Sequence, residues 1–192
     1  MKERPILFNG DMVRAILSST KTQTRRVAKP SKDRELGCDL AVCELAGEVN
    51  GGDYTNSPYG QPGDRLWVRE TWNRTNPGGA EGVYYHRADT HFPASIGGGP
   101  IWTDTAWRPS IHMPRAACRL ELEITAVRVE RLQSITVGDA IAEGCPGGEH
   151  GDRYAAVEQY RALWESINGA GSWSTNPWVW VIEFKRLEDS KK

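Results

Sequence analysis

The stretch from Arg119 to Arg131 constrains the fold of this chain more than any other. Leu120, Leu122, Ile124 and Ala126 alternate with Glu121, Glu123 and Thr125, the pattern of a strand with one buried face. The apolar phase then slips by one residue and continues on Val127 and Val129. A slip in a period-two pattern turns every later side chain over unless a bulge absorbs it. The pattern predicts a long strand, bent in the middle, as a sheet needs if it is to curl toward a barrel.

Weaker signals supply partners for that strand. Pro5-Ile6-Leu7-Phe8 is a short apolar run, Leu66-Trp67-Val68-Arg69-Glu70 alternates, Gly82–Arg87 is a further candidate, and Trp178–Lys185 closes the chain as an aromatic-flanked strand. Asn50-Gly51-Gly52 predicts a hairpin turn with Leu40–Val49 as one arm. Asn9 or Asp11 can cap a first helix whose Met12/Ile16 and Val13/Leu17 pairs form a buried stripe ending at Ser18-Ser19. Thr136-Val137-Gly138-Asp139 reads as a capping box opening a short helix that Gly144 stops. A longer helix is expected over Arg153–Ile167, with Val157, Tyr160, Leu163, Trp164 and Ile167 on its apolar stripe. Five or six strands with segregated helices predict an α+β fold: a small, bent, mixed β-barrel flanked by short helices. One domain over 1–187 is expected, with an aperiodic loop at 88–114 and a polar tail at 188–192. A loop of that length either covers a site or is an inert insertion.

Charge sets the partners. The 192 residues carry 24 Lys+Arg against 25 Asp+Glu, so no global field draws the chain to nucleic acid or membrane. The local distribution is uneven: Arg14, Lys21, Arg25, Arg26, Lys29, Lys32 and Arg34 fall within 21 residues that hold one anion, Asp33. No apolar run approaches a membrane span and the first residues lack a signal-peptide core, so a cytoplasmic location without membrane partners is expected. Cys38, Cys43, Cys118 and Cys145 then read as ordinary reduced thiols, and four scattered histidines make no metal motif.

The chemistry concentrates in Ser18-Ser19-Thr20-Lys21-Thr22-Gln23-Thr24-Arg25-Arg26, expected as an exposed polar turn at the end of the first helix. There an amine, a hydroxyl and a guanidinium can surround one small site.

Over nearly its whole length, apart from 31–58 and 88–107, the chain resembles the ASCH-domain proteins, a branch of the PUA-like barrels found in bacteria and their prophages. Carrying the resemblance are Arg4-Pro5-Ile6-Leu7-Phe8, Lys21–Arg26, Gly63-Asp64-Arg65-Leu66-Trp67-Val68-Arg69-Glu70, Pro109–Arg115, the strand to Leu132 with Ala140–Gly144, and Trp178–Phe184. The family pattern Gly-x-Lys-x-x-Glu-x-Arg reads here with Ser19 for the glycine and Thr24 for the glutamate. That departure brings the chain closer to the superfamily's amidohydrolases that act on N4-acetylcytidine. The resemblance implies a catalytic trio of Lys21, Thr24 and Glu143, no metal and no cofactor. Phe8, Arg26, Arg69, Glu70 and Trp72 are expected to line the pocket for a small-molecule nucleoside.

Amide hydrolysis of that kind needs a nucleophile, a base and an acid for the departing amine. Lys21 can be the base if burial and neighbouring arginines depress its pKa. Glu143 can orient Lys21 or pass the proton to N4. Thr24 either attacks or only polarises while water attacks. The alternative of another class is an RNA-binding or RNA-cleaving module, which the basic stretch from Arg14 to Arg34 favours.

Overall fold

The computed structural model describes residues 1–75, 83–89, 107–148 and 154–187. Its elements run β1 (Glu3–Leu7), α1 (Gly10–Leu17), β2 (Gln23–Val27), β3 (Ser31–Lys32), β4 (Asp39–Leu40), α2 (Val42–Asn50), β5 (Arg65–Arg69), β6 (Trp72–Thr75) and β7 (Val83–His86). They continue with β8 (Glu121–Arg131), α3 (Val137–Ala142), α4 (Tyr154–Asn168) and β9 (Trp178–Arg186). The expected α+β class is present. Five strands form one sheet in the order β1-β5-β8-β9-β2, antiparallel except for the β1–β5 pair.

β8 organises this sheet as its alternation predicts. Its register against β9 steps from Ile124 opposite Phe184 to Ala126 opposite Glu183, so Thr125 is the bulge residue. Leu122 and Ile124 before the bulge and Val127 and Val129 after it stay in one core. α1 and α2 cover that face through Val13, Ile16, Leu45 and Val49. Val179 and Val181 of β9 point to the opposite face, where α3 and α4 add Ala140, Tyr160 and Trp164. Each helix thus buries one stripe against one face of a single sheet.

The expected barrel is not closed. β1 and β2 end the strand order unpaired with each other. The Leu7 carbonyl, which a closing ladder would use, instead accepts from Arg26 Nη2 at 2.9 Å. A side chain therefore spans the seam.

Two other expectations are corrected. The segment Leu40–Val49 is not a hairpin arm; Val42–Asn50 is helix, with Leu45, Ala46 and Val49 buried on one side and the Glu44 carboxylate accepting the Ala41 N–H at 3.0 Å. The Lys21–Arg26 stretch is not an exposed turn. Gln23–Val27 pairs with β9, and Lys21, Gln23, Thr24 and Arg25 are buried. The β6 strand has no counterpart among the expected elements, whereas β7, its partner, does. On α4 the stripe holds at Tyr160 and Trp164, but Ile167 is 53% exposed. Residues 90–106 of the expected loop and the tail 188–192 lie outside the described residues.

Ser19, at the position the family pattern gives to glycine, has φ +60°. That region costs an L-residue about 1–2 kcal/mol, against about 0.4–1 kcal/mol of extra unfolded-state entropy for glycine. Ser19→Gly is therefore expected to raise stability by about 0.5–1 kcal/mol, read as a higher urea midpoint at unchanged slope. A lower midpoint would show that the serine side chain contributes more than the strain removes.

Candidate active site

The buried cations are held by backbone first. After α1, the Lys21 N–H donates to Ala15 O at 3.1 Å and the Thr22 N–H to Ala142 O at 2.8 Å, while Phe184 N–H donates to Thr22 O at 2.9 Å. The chain is thus stitched between α1, the end of α3 and β9 before β2 begins. On the other side, Thr136 and Asp139 form the predicted capping box that starts α3. Glu143 is its C-cap, and Gly144 at φ +93° turns the chain away with its Cβ position 3.6 Å from Lys21 Cβ.

These two segments bring Lys21 and Glu143 together. Lys21 Nζ donates to Glu143 Oε2 at 2.6 Å and to the Glu143 carbonyl at 2.9 Å, with the two side chains 0% and 3% exposed. Arg25 Nη1 donates to Glu143 Oε1 at 3.3 Å, so one carboxylate serves two cations. Arg25 Nη2 reaches Glu130 at 2.8 Å and Asp139 at 3.4 Å, and its guanidinium lies 5.8 Å from the Tyr160 ring centroid. Arg128 extends the network to Glu130, Asp139 and Glu183. Burial pushes the Lys21 amine below its ordinary range, and the adjacent Glu143 carboxylate opposes that shift. Burial likewise pushes the Tyr160 phenol up.

Thr24 belongs to the other face of β2. Alternation places Thr24 and Arg26 with Ile182 and Trp180, their cross-strand partners, whereas Arg25 pairs with Val181. The Thr24 hydroxyl accepts from Arg26 Nη1 at 2.6 Å, and among the described residues it bonds to neither Lys21 nor Glu143. Arg26 also donates to its neighbour's carbonyl and lies 5.3 Å over the Phe8 ring.

At the open seam between β1 and β2 lies a cavity of about 390 Å³. Arg25, Arg26 and Glu143 form its polar end; Phe8, Tyr160 and Trp164 give aromatic walls. Of the residues expected to bind substrate, Phe8 and Arg26 line it. The other three sit elsewhere. Glu70, 1% exposed, accepts both Arg119 Nε and Nη2 at 2.9 and 3.0 Å. Trp72 packs with Met113 and Ala117, and Arg69 covers the Trp67 ring at 5.3 Å while donating to Ile111 O. Thr71, between them, does line the cavity. Sequence patterns marked Tyr160 and Trp164 only as a helix stripe and Asp139 only as a cap. Glu130, the third carboxylate around Arg25 beside Asp139 and Glu143, had no signal of its own.

No protein-family profile matches the sequence, and no curated protein matches it. A solved structure described as the high-resolution crystal structure of an ASCH domain from Lactobacillus crispatus JV V101 aligns with a TM-score of 0.44 at 12% identity. The alignment covers 96% of this chain and 79% of that one. A likeness of that size carries no argument about fold or activity. Among the described residues no three His, Cys, Asp or Glu side chains converge to hold a metal ion, all four cysteines are free, and no helix is long and apolar enough to cross a membrane.

Proposed function

We propose that this chain is an amidohydrolase that cleaves the N4-acyl amide of N4-acetylcytidine and related N4-acylated cytosine nucleosides without a metal. The observation that carries the reading is the buried Lys21–Glu143 pair at 2.6 Å whose carboxylate lines a cavity of about 390 Å³. A carboxylate that can accept and return a proton, the Lys21 amine bonded behind it and guanidinium N–H groups are thus adjacent to one cavity with aromatic walls, an arrangement suited to acyl transfer.

In this mechanism water attacks. Glu143 takes a water proton as the water oxygen bonds to the acyl carbon. Arg26, which has five N–H donors and makes three bonds among the described residues, offers the remainder to the oxyanion. Lys21, bonded to the Glu143 carboxylate at 2.6 Å, offsets the negative charge of the tetrahedral intermediate. The C–N4 bond then breaks, N4 receives the proton from Glu143, and the products are cytidine, carboxylate and a released proton. Thr24 is a positioning residue in this route, because its hydroxyl accepts from Arg26 and, among the described residues, bonds to neither Lys21 nor Glu143. Arg69, Glu70 and Trp72 adjoin Thr71, which lines the cavity, along the chain and make their own contacts outside it.

The test is ultraviolet detection of N4-acetylcytidine conversion to cytidine with EDTA present. Wild type is expected to turn over, Thr24→Ser to retain most of that rate and Thr24→Val to lose about 10- to 100-fold through the loosened Arg26. No turnover of any N4-acylated cytosine would overturn the reading. An acyl group trapped on Thr24, seen by mass spectrometry, would replace water by threonine as the nucleophile.

A further inference from the structure

The basic stretch of the sequence is mostly consumed by the fold. Lys21 and Arg25 are buried in ion pairs, Arg26 bonds across the seam to the Leu7 carbonyl, and Arg14 is paired with Asp11 and bonded to Ala88 O. Lys29, Lys32 and Arg34 are different. All three are exposed, and none makes an ion pair among the described residues. They line one cleft of about 260 Å³, and among the described residues no carboxylate lines it with them. Arg34 is pinned through Nη1 to the carbonyls of Thr55 and Ser57, at 2.9 and 3.3 Å, and its Nε and Nη2 donors have no hydrogen-bond partner among the described residues. The neighbouring acids are turned elsewhere. Asp33 accepts from Asn56 and from the Glu35 and Leu36 N–H groups, and Asp39, the register partner of Lys32, lines with Lys32 and Glu44 the adjoining groove but not this cleft.

This cleft continues from the cavity. Val27 lines both. Arg26, at the polar end of the cavity, is the cross-strand partner of Trp180, which lines the cleft. Lys29 follows Val27 by two residues, at most about 7 Å of extended chain, a reach that one nucleotide spans. Tyr59, half-buried with its ring 5.9 Å from Trp180, offers a stacking face beside the cations.

We propose that the cleft of Lys29, Lys32 and Arg34 binds a phosphate carried by the substrate, so that the protein acts on phosphorylated N4-acylcytidine in preference to the free nucleoside. This rests on the cavity being the cytosine site. The phosphate of a mononucleotide and that of an RNA strand share this chemistry; three cations around a small cleft suit either.

The experiment compares kcat/KM for N4-acetylcytidine, its 5′-monophosphate and a short oligoribonucleotide with one N4-acetylcytidine, in wild type and Lys29→Glu/Lys32→Glu. Wild type is expected to favour a phosphorylated substrate about 10-fold or more, through KM and with steep salt dependence. The double variant should reduce that ratio to near one. Preference for the monophosphate identifies a mononucleotide substrate, and preference for the oligomer alone identifies RNA. Equal use of all three by wild type, or a ratio unmoved by the charge reversal, overturns the proposal. Binding of cytidine 5′-monophosphate and of oligocytidylate, followed by tryptophan fluorescence, keeps the two readings separable. If nothing is hydrolysed yet either ligand binds wild type and is lost in the variant, the cleft stands and the amidohydrolase falls. Failure of both ligands to bind, or binding that the variant retains, overturns the cleft.

Discussion

Glu143→Gln is expected to destabilise the fold by about 3–5 kcal/mol, because it removes the one anion shared by two buried cations. Lys21 is 0% exposed and has no other anionic partner among the described residues. Arg25 keeps Glu130 and Asp139. The whole penalty of an uncompensated charge therefore falls on Lys21. For a chain of this size the melting temperature should drop by about 6–20 °C. The loss should also depend on pH with a definite sign. Glu143 is what opposes the burial-driven depression of the Lys21 pKa, so without it the folded-state pKa falls further below 10.5. Between that value and 10.5 the unfolded chain binds a proton that the native state has shed, so stability rises with pH across that window. The deficit of Glu143→Gln relative to wild type should thus shrink from pH 6 toward pH 8.5. The Cys118 and Cys145 thiols, pushed above an ordinary 9.0 by burial, stay protonated over that range. Urea unfolding of both proteins at three pH values checks this. A deficit that stays constant or grows with pH would mean that Lys21 is not the group left unpaired.

Much of the scaffold is written in local patterns. The β8 alternation and its slip at Thr125, the Thr136–Asp139 capping box and the apolar run of β9 each state an element that depends on few distant partners. β2 fails that test. A Gln-Thr-Arg-Arg-Val run has no apolar alternation, and its burial depends on carboxylates from β8, α3 and the α3 C-cap. The helix α2 was hidden by Gly51-Gly52, which mark a helix end here as readily as a hairpin. The same physics limits the site. Lys21 and Glu143 are 122 residues apart, so nothing in the spacing of either says that they meet; only the family resemblance joined them. Closure of the barrel was equally beyond local patterns, since the Arg26–Leu7 bond that replaces the missing ladder is a side-chain choice.

Lys21→Met should separate catalysis from stability. Methionine fills a similar volume without charge, so the buried site loses a desolvated ammonium and its bonds at once. Glu143 keeps Arg25 at 3.3 Å and is not left alone. The cost to stability should then be about 2 kcal/mol or less, well under that of Glu143→Gln. Hydrolysis should fare far worse. Without the ammonium, nothing at 2.6 Å offsets the charge that develops as Glu143 takes and returns its proton, and turnover should fall about 100- to 10,000-fold. The double variant Lys21→Met/Glu143→Gln completes the cycle: with no stranded ammonium, it should be more stable than the sum of the single losses predicts, by about 0.5–3 kcal/mol. Turnover within fivefold of wild type in a folded Lys21→Met protein would make the buried pair a structural device, and the cavity beside it would need another chemistry.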